Sequence, residues 1–302
     1  MTLARANAMA LMAALAWGLG NVSQKTILDH LDGFSATGLT SFVGALVLLP
    51  FLRRETRMAM PPTDGSFGLV LTIALLFTLA STVMQFGYGH TSVTNAGFLS
   101  NTAAAMTPII GWVCFAQRPQ ALIWLACLCT LTGVFLMAGG NWAGQSFGDG
   151  LALCAAVAFA FWTLFLGKYA MQFRRPIFVT VVQLLTCGVI CMVTAAFTYG
   201  LPSFDAVVAA LPEIMILGAV SKGLAYVLNA TAQQHIPAAC AAVIISAEAV
   251  FGSLAAMLFL GESLSFGRAL GAACILVGVV IASSLPGSEA ATAALVLKSD
   301  KG

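Results

Sequence analysis

A series of ten apolar runs, separated by short loops, restricts what this chain can fold into. An α-helix rises about 1.5 Å per residue, so a run of roughly 20 residues can cross the ~30 Å hydrocarbon core of a bilayer. Because a span in lipid must satisfy its own backbone hydrogen bonds, such runs predict helices. The runs cover residues 6–24, 35–52, 67–88, 93–115, 122–137, 148–167, 177–199, 212–231, 238–260 and 265–285. The sequence therefore predicts an all-α membrane protein with ten transmembrane helices.

Composition excludes a soluble domain and several classes of function. Only 8% of the residues are charged and 60% are hydrophobic, whereas soluble domains carry about 25% charged residues. The basic residues lie scattered in loops and form no basic face, so we expect no nucleic-acid partner. The eight cysteines lie inside apolar runs and are interpreted as small apolar side chains. We expect no metal site, no cofactor and no enzyme activity, since zinc-protease, serine-hydrolase and P-loop motifs are missing.

The distribution of Lys and Arg in the short loops predicts the orientation. With a cytoplasmic N-terminus, two basic residues, Lys25 and Arg268, lie outside. Ten then lie inside: Arg5, Arg53, Arg54, Arg57, Arg118, Lys168, Arg174, Arg175, Lys298 and Lys301. We therefore expect both termini in the cytoplasm, with residues 287–302 as a cytoplasmic tail, and the cell inner membrane as the location.

The chain repeats itself weakly at an offset of 145 residues. This offset brings Trp17 onto Trp162, His90 onto His235, and the pair Gly133-Val134 onto Gly278-Val279. We expect a first repeat at residues 1–145 and a second at 146–286, each with five helices. Because five is odd, the second copy enters the membrane inverted, as in secondary transporters that bind substrate near the midplane between the repeats.

Two opposite charges lie at one depth in otherwise uncharged runs. Lys222 and Glu248 are each about eleven residues from a helix start, hence roughly 16 Å deep. Intramembrane charges usually face a protein interior or a wet cavity and have a partner. We interpret the two as the paired polar centre of a transport site; a structural ion pair that locks two helices is the alternative.

Polar and aromatic side chains on several other spans are predicted to line the same cavity. Apolar walls with a few convergent polar groups are typical of small-molecule sites, and simple packing is the alternative for any single aromatic ring. The predicted substrate-binding residues are Lys222, Glu248, Trp17, Trp162, Tyr226, Phe98, Asn101 and Gln85. Pro108 is expected to kink the fourth span and to act as a gate.

Glycines in the last span form a further pattern. Gly267 and Gly271 make a GxxxG face that Gly278 continues, and such faces let helices approach closely. We expect this face to pack within the molecule, against the fifth span at Gly133. A dimer contact is the alternative, and we favour a monomer.

Several short motifs together resemble the drug/metabolite transporter superfamily, in its ten-helix branch with two EamA-type repeats. They are Ala16-Trp17-Gly18, Met106-Thr107-Pro108, Gly133-Val134, Ala247-Glu248-Ala249, Leu260-Gly261-Glu262 and Gly278-Val279. The chain departs from the family pattern at Ala249, where a proline is usual, and at Gln117, where a glutamate is usual.

The overall pattern is most similar to the aromatic and neutral amino acid exporters of bacterial inner membranes. This resemblance implies a secondary transporter that exports aromatic and other neutral amino acids, with broad specificity, by alternating access. Amino acids and membrane lipid are the expected partners. The alternatives are an exporter of drugs or other metabolites in the same superfamily, and a non-transporting membrane scaffold or sensor.

Overall fold

The computed structural model describes residues 1–58, 64–91, 93–139, 146–260 and 265–287, and over these ranges the chain is helical. A 3-10 turn, Ile27–Asp29, follows the first helix, and a π-helical segment, Ile216–Leu224, joins α10 to α11. The α-helices are α1 Leu3–Thr26, α2 Gly33–Met58, α3 Asp64–His90, α4 Val93–Asn101, α5 Ala103–Phe115, α6 Ala121–Met137, α7 Phe147–Phe173, α8 Pro176–Thr198, α9 Phe204–Ala209, α10 Leu211–Met215, α11 Ala225–Ala232, α12 Ala238–Ile245, α13 Glu248–Leu260 and α14 Phe266–Ser283.

Within the described residues, nine helical stretches are long and apolar enough to cross a membrane. Four of these stretches are composite: α1 with the 3-10 turn, α4 with α5, α10 and α11 with the π segment between them, and α12 with part of α13. Helix α6 is also apolar but shorter, at 17 residues. The chain is thus a multi-pass membrane protein, and its count of ten crossings stays a prediction that depends on α6.

The predicted 145-residue repeat is visible in the helix boundaries. Helices α6 and α14 begin at Ala121 and Phe266, which lie 145 positions apart. The second helix of each broken pair also starts at matching positions, since α5 begins at Ala103 and α13 begins at Glu248, again 145 positions later. These matching positions support the predicted repeat, although α10, the π segment and α11 in the second half take the place of the continuous α3 in the first.

Short polar groups start several helices where the loops meet the bundle. Ser146 and Asp149 form a capping box at the start of α7, with each side chain accepting the other residue's backbone N–H at 3.1 Å. The carboxylate of Glu55 in α2 accepts the backbone N–H groups of Ile177 and Phe178 at 3.0 and 2.7 Å. This contact holds the start of α8, in the second repeat, against the end of α2, in the first.

The glycine face of the last span packs inside the molecule. A Cβ atom on Gly133 of α6 would lie 2.5 Å from the carbonyl oxygen of Gly271 in α14. One on Gly278 would lie 2.6 Å from the Thr130 hydroxyl. Real Cβ atoms do not come so close, so only glycine allows this approach of α14 to α6, and the predicted packing against Gly133 is confirmed.

The two ends of the described chain lie together. The side-chain amide of Asn7 donates to the Ser283 carbonyl at 2.8 Å, and a Cβ atom on Gly287 would contact Leu3. Termini on one side of the bundle are consistent with an even number of crossings. Their cytoplasmic placement remains the prediction from loop charge, and the tail beyond Gly287 lies outside the described residues, as do Gly261 and Glu262.

Candidate functional site

A central cavity of about 130 Å³ lies between the two repeats. The first repeat contributes α1, α3, α4 and α5 to its lining, and the second contributes α7, α11, α12, α13 and the π segment. Five of the predicted substrate-binding residues line it: Trp17, Asn101, Trp162, Tyr226 and Glu248. Sequence reasoning therefore placed most of its candidates around one cavity, although it could not show which of them touch.

The aromatic wall of the cavity is built around Tyr226. The rings of Trp17 and Trp162 lie 5.0 and 5.4 Å from it, both edge-on, and Phe77 packs behind it at 4.9 Å. Edge-to-face pairs suit the quadrupoles of the rings and add about 0.5–1.5 kcal/mol each beyond burial. The two repeat-related tryptophans therefore flank one tyrosine and hold a rigid apolar wall.

The π segment gives Trp17 its hydrogen-bond partner. The Ala225 N–H bonds to Val220, five residues back, and not to Ser221 as it would in an α-helix. The Ser221 carbonyl instead accepts the indole N–H of Trp17 at 2.9 Å. The Ser221 hydroxyl donates in turn to the Ala16 carbonyl at 3.2 Å, so α1 is fastened to the π segment by two bonds.

Glu248 is the first residue of α13 and faces α1. Its carboxylate accepts a hydrogen bond from the Asn21 amide at 3.0 Å, and Tyr88 donates to the oxygen of the same amide at 3.3 Å. Gly18 allows the close approach, since a Cβ atom there would lie 2.7 Å from the Glu248 carbonyl oxygen. The start of a helix also favours a negative charge. Among the described lining residues of the cavity, Glu248 is the one charged side chain.

Lys222 does not meet Glu248. Its ammonium donates to the Thr37 carbonyl at 3.0 Å and to the Ser41 hydroxyl at 2.9 Å, both on α2. No ion pair joins Lys222 to Glu248 in the described part of the chain, so the predicted contact between the two charges is not formed. Instead, Lys222 and Gln85 line a smaller neighbouring cavity of about 40 Å³. The π segment turns Lys222 toward α2, whereas Glu248 faces α1.

Phe98 and Pro108 also differ from expectation. The Phe98 ring packs 6.3 Å from Phe135 of α6 and is outside the cavity lining. The helix breaks at Thr102, six residues before Pro108, and α5 continues through Pro108 to Phe115. Proline has no N–H for the carbonyl four residues back. That carbonyl, of Ala104, accepts the Cys127 thiol at 3.4 Å, which compensates for the missing bond.

Sequence reasoning missed two residues of the site, Tyr88 and Ser221. Asn21 lies one helical turn after Trp17, and that spacing does predict it for the same cavity-facing stripe. Tyr88 and Ser221 had no distinguishing pattern, because Tyr88 lies near a helix end and Ser221 acts through its backbone carbonyl. Within the described residues, no group of three His, Cys, Asp or Glu side chains is placed to hold a metal ion.

Two stretches of the chain, residues 4–139 and 146–284, each match the model of the EamA-like transporter family. The chain belongs to this family. The two matches end 145 positions apart, the same offset as the helix boundaries. The domain of this EamA-like transporter is therefore duplicated, and the general function shown for the chain is membrane transport.

Similar proteins extend over nearly the whole length of this EamA-like transporter. An uncharacterized transporter of Archaeoglobus fulgidus is 26% identical over 90% of this chain and 83% of its own length. The uncharacterized transporter YwfM of Bacillus subtilis is 25% identical over 91% of this chain and 93% of its own length. A protein of known crystal structure, 17% identical, has a TM-score of 0.74 and covers 92% of this chain and 96% of that one, so the fold is shared.

Proposed function

We propose that this transporter exports neutral amino acids, aromatic ones included, across the bacterial inner membrane. It does so by alternating access, as a monomer of two inverted five-helix repeats with both termini in the cytoplasm. The observation that carries the proposal is the cavity itself. One carboxylate, Glu248, shares the cavity with neutral polar groups, and the rest of the wall is apolar and includes five aromatic side chains.

The ammonium group of the substrate is assigned to Glu248. One carboxylate oxygen is already held by Asn21, which orients the group. A charge-assisted hydrogen bond to an ammonium is worth about 1.5–3 kcal/mol. Since Lys222 is held by α2, the ammonium of a substrate would be the only cation at this carboxylate.

The substrate carboxylate is assigned to the break between α4 and α5. Ser100, Asn101, Ala103 and Ala104 at this break all line the cavity. In transporters with discontinuous helices, the N-terminus of the half-helix faces the anionic group of the substrate, and here α5 begins at Ala103. A zwitterion would thus lie between the starts of two half-helices, with its ammonium toward α13 and its carboxylate toward α5.

The aromatic wall supports broad specificity for the substrate side chain. Trp17, Trp162 and Tyr226 offer rigid apolar surface, and one methylene in such a pocket changes affinity by only about 1–3 kcal/mol. The cavity, at about 130 Å³, is smaller than the ~300–1,000 Å³ typical of drug-sized ligands. Its size favours a small metabolite over a large drug.

The remaining predicted residues are given supporting roles. Lys222 and Gln85 line the neighbouring cavity together with Trp17 and Tyr226, and we assign them the role of supporting these two rings. Phe98 packs between α4 and α6 beside the break. Pro108, on the same helix as Ala103 and Ala104, remains the proposed gate, because the Cys127 thiol that replaces its missing backbone bond is a weak donor and the helix bends there at less cost.

One observation favours a second candidate function. The described lining of the central cavity has a carboxylate and no Lys, Arg or His, so it also fits an organic amine without a carboxylate. An exporter of cationic compounds is therefore the runner-up.

Counterflow in proteoliposomes separates the two candidates. Labelled phenylalanine, threonine and methionine would be compared with phenethylamine, with and without a pH gradient, for the wild type and Glu248→Gln. The exposed Asp205 provides a matched control in Asp205→Asn. We expect amino acid counterflow that Glu248→Gln reduces strongly and that Asp205→Asn leaves unchanged. Flux of phenethylamine alone would favour the runner-up, and flux of none of the probes would refute both.

A further inference from the structure

A second cavity, of about 560 Å³, lies at the end of the bundle that holds both termini. It is lined by the end of α5, the loop at residues 116–120 and the start of α6. The other side of the lining consists of Leu164, Lys168 and Met171 of α7, the start of α12, and Leu285 and Pro286 after α14. Separate sequence patterns involved Pro108, Gln117, Arg118 and Lys168 on its wall, but none of these patterns predicted a cavity here.

The two cavities lie in series along the same helices. On α5, Ala104 lines the central cavity and Pro108, one turn later, lines the second. On α12, Ala242 lines the central cavity and Ala238, one turn earlier, lines the second. On α7, Thr163 lines the central cavity and the adjacent Leu164 lines the second. The layer that separates them is therefore at most about one helical turn thick.

That separating layer is closed and uncharged. Thr107 on α5 and Ala241 on α12 are both fully buried at this level. The Thr107 hydroxyl is itself engaged, since it donates to the Ala103 carbonyl at 2.8 Å. A rearrangement of one turn of α5 and α12 would therefore join the two cavities.

The charge of the second cavity is opposite to that of the first. Arg118 and Lys168 line it, and its described lining contains no Asp or Glu. Both cations are exposed, and neither side chain forms a hydrogen bond or ion pair with a residue in the described ranges. Apolar side chains such as Phe115, Ile123 and Leu285 form most of the remaining wall, which also includes the neutral polar Gln117 and Gln120. The cavity thus offers two unengaged cations beside apolar surface.

We propose that this second cavity is the entrance to the transport path, and that Arg118 and Lys168 bind the substrate carboxylate there. The proposal rests on the proposed function and adds a second site to it. A cleft lined by one sign of charge raises the local concentration of an oppositely charged group. The carboxylate would be bound at the entrance, and the ammonium would meet Glu248 after the layer between the cavities opens.

Initial rates of transport, measured separately at the two faces, test this assignment. Right-side-out and inside-out membrane vesicles give each face in turn. The double variant Arg118→Gln/Lys168→Gln is expected to raise the KM for phenylalanine about 10-fold at one face only, with kcat unchanged. The KM for phenethylamine, which has no carboxylate, should not rise. Arg54→Gln, which removes an exposed cation elsewhere, is the matched control.

The dependence of the KM on ionic strength is an independent test of the same assignment. Salt screens exposed charges, with a Debye length of about 3 Å at 1 M, so high salt should raise the wild-type KM for phenylalanine toward that of the double variant. A double variant with wild-type KM at both faces, or with equal changes for phenylalanine and phenethylamine, would overturn the proposal. A wild type that carries no amino acid at either face would refute the proposed function instead. Thermal unfolding of each purified variant shows that it is folded.

Discussion

The two helix breaks, between α4 and α5 and between α12 and α13, have the same backbone and different chemistry. At the first break, the Thr102 N–H bonds to the Leu99 carbonyl at 3.2 Å, a tight three-residue turn. At the second, the Ala247 N–H bonds to the Ile244 carbonyl at 3.2 Å, 145 positions later. The chain then resumes as a helix in both repeats, and Ala249, the position of the usual proline in the resembled family, is the second residue of α13.

The side chains that follow the two breaks differ. In the first repeat the next residue is Ala103, and in the second it is Glu248; both line the central cavity. Both repeats therefore have the same helix break in the backbone. They differ at the residue after the break, which is a carboxylate in the second repeat and a neutral alanine in the first. We infer that the breaks open the helices for substrate and that the difference between Ala103 and Glu248 orients it.

Neutralising Glu248, the carboxylate that follows the second break, should have the largest effect on substrate binding. Glu248→Gln keeps an oxygen to accept the Asn21 amide but cannot hold an ammonium with a full charge. The charge-assisted hydrogen bond to the ammonium contributes about 1.5–3 kcal/mol, so its loss should weaken phenylalanine binding about 10- to 150-fold. Counterflow at several substrate concentrations measures this loss, and a thermal midpoint close to wild type would show an intact fold. Unchanged counterflow would mean that the difference between the breaks has no role in binding.

Adding a charge to the neutral break should have the next largest effect. Ala103→Glu places a second carboxylate on the cavity where the substrate carboxylate is expected, so phenylalanine transport should fall about 10-fold by like-charge repulsion. Ala103→Gln has nearly the same size and no charge, and it should retain more transport. Equal losses in the two variants would show that Ala103 matters for its size alone.

The repeat-related tryptophans give a smaller contrast, in stability. Trp162→Phe removes the indole N–H that bonds Gln183 Oε1 at 2.9 Å, and Gln183 is fully buried. An unsatisfied buried amide costs about 1–3 kcal/mol. Trp17→Phe should cost less, because the Ser221 carbonyl lies beside the cavity, where water can replace the indole. Thermal unfolding in detergent compares the two, and a larger loss for Trp17→Phe would contradict this reasoning.

The coupling between Lys222 and Glu248 should be the smallest effect. The two share no hydrogen-bond partner: Lys222 bonds to Thr37 and Ser41, and Glu248 bonds to Asn21. Groups without shared partners usually act additively to within about 0.5 kcal/mol. A double-mutant cycle of Lys222→Met and Glu248→Gln, followed by unfolding, measures the coupling free energy. A value of about 2 kcal/mol or more would restore the ion pair that the sequence suggested.

The sequence alone determined the membrane class, most helix boundaries and the repeat. An apolar run long enough to cross lipid has to form a helix, because no other local structure satisfies its backbone there. The glycines at 133 and 271 likewise predicted a close helix contact, since only residues without a Cβ atom permit one. These features depend on position along the chain, which a sequence displays directly.

The depth of the candidate site was also readable from the sequence, since depth in a helix follows from residue number. Trp17, Asn101, Trp162, Tyr226 and Glu248 do line one cavity. The direction in which each side chain points around its helix axis was not readable, because it depends on where the helix departs from 3.6 residues per turn. The π segment rotates Lys222 onto α2, and the tight turn at Thr102 directs Asn101 into the cavity while Phe98 packs toward α6. The tertiary structure alone decided which side chains meet, because small changes of helical pitch accumulate into a different face.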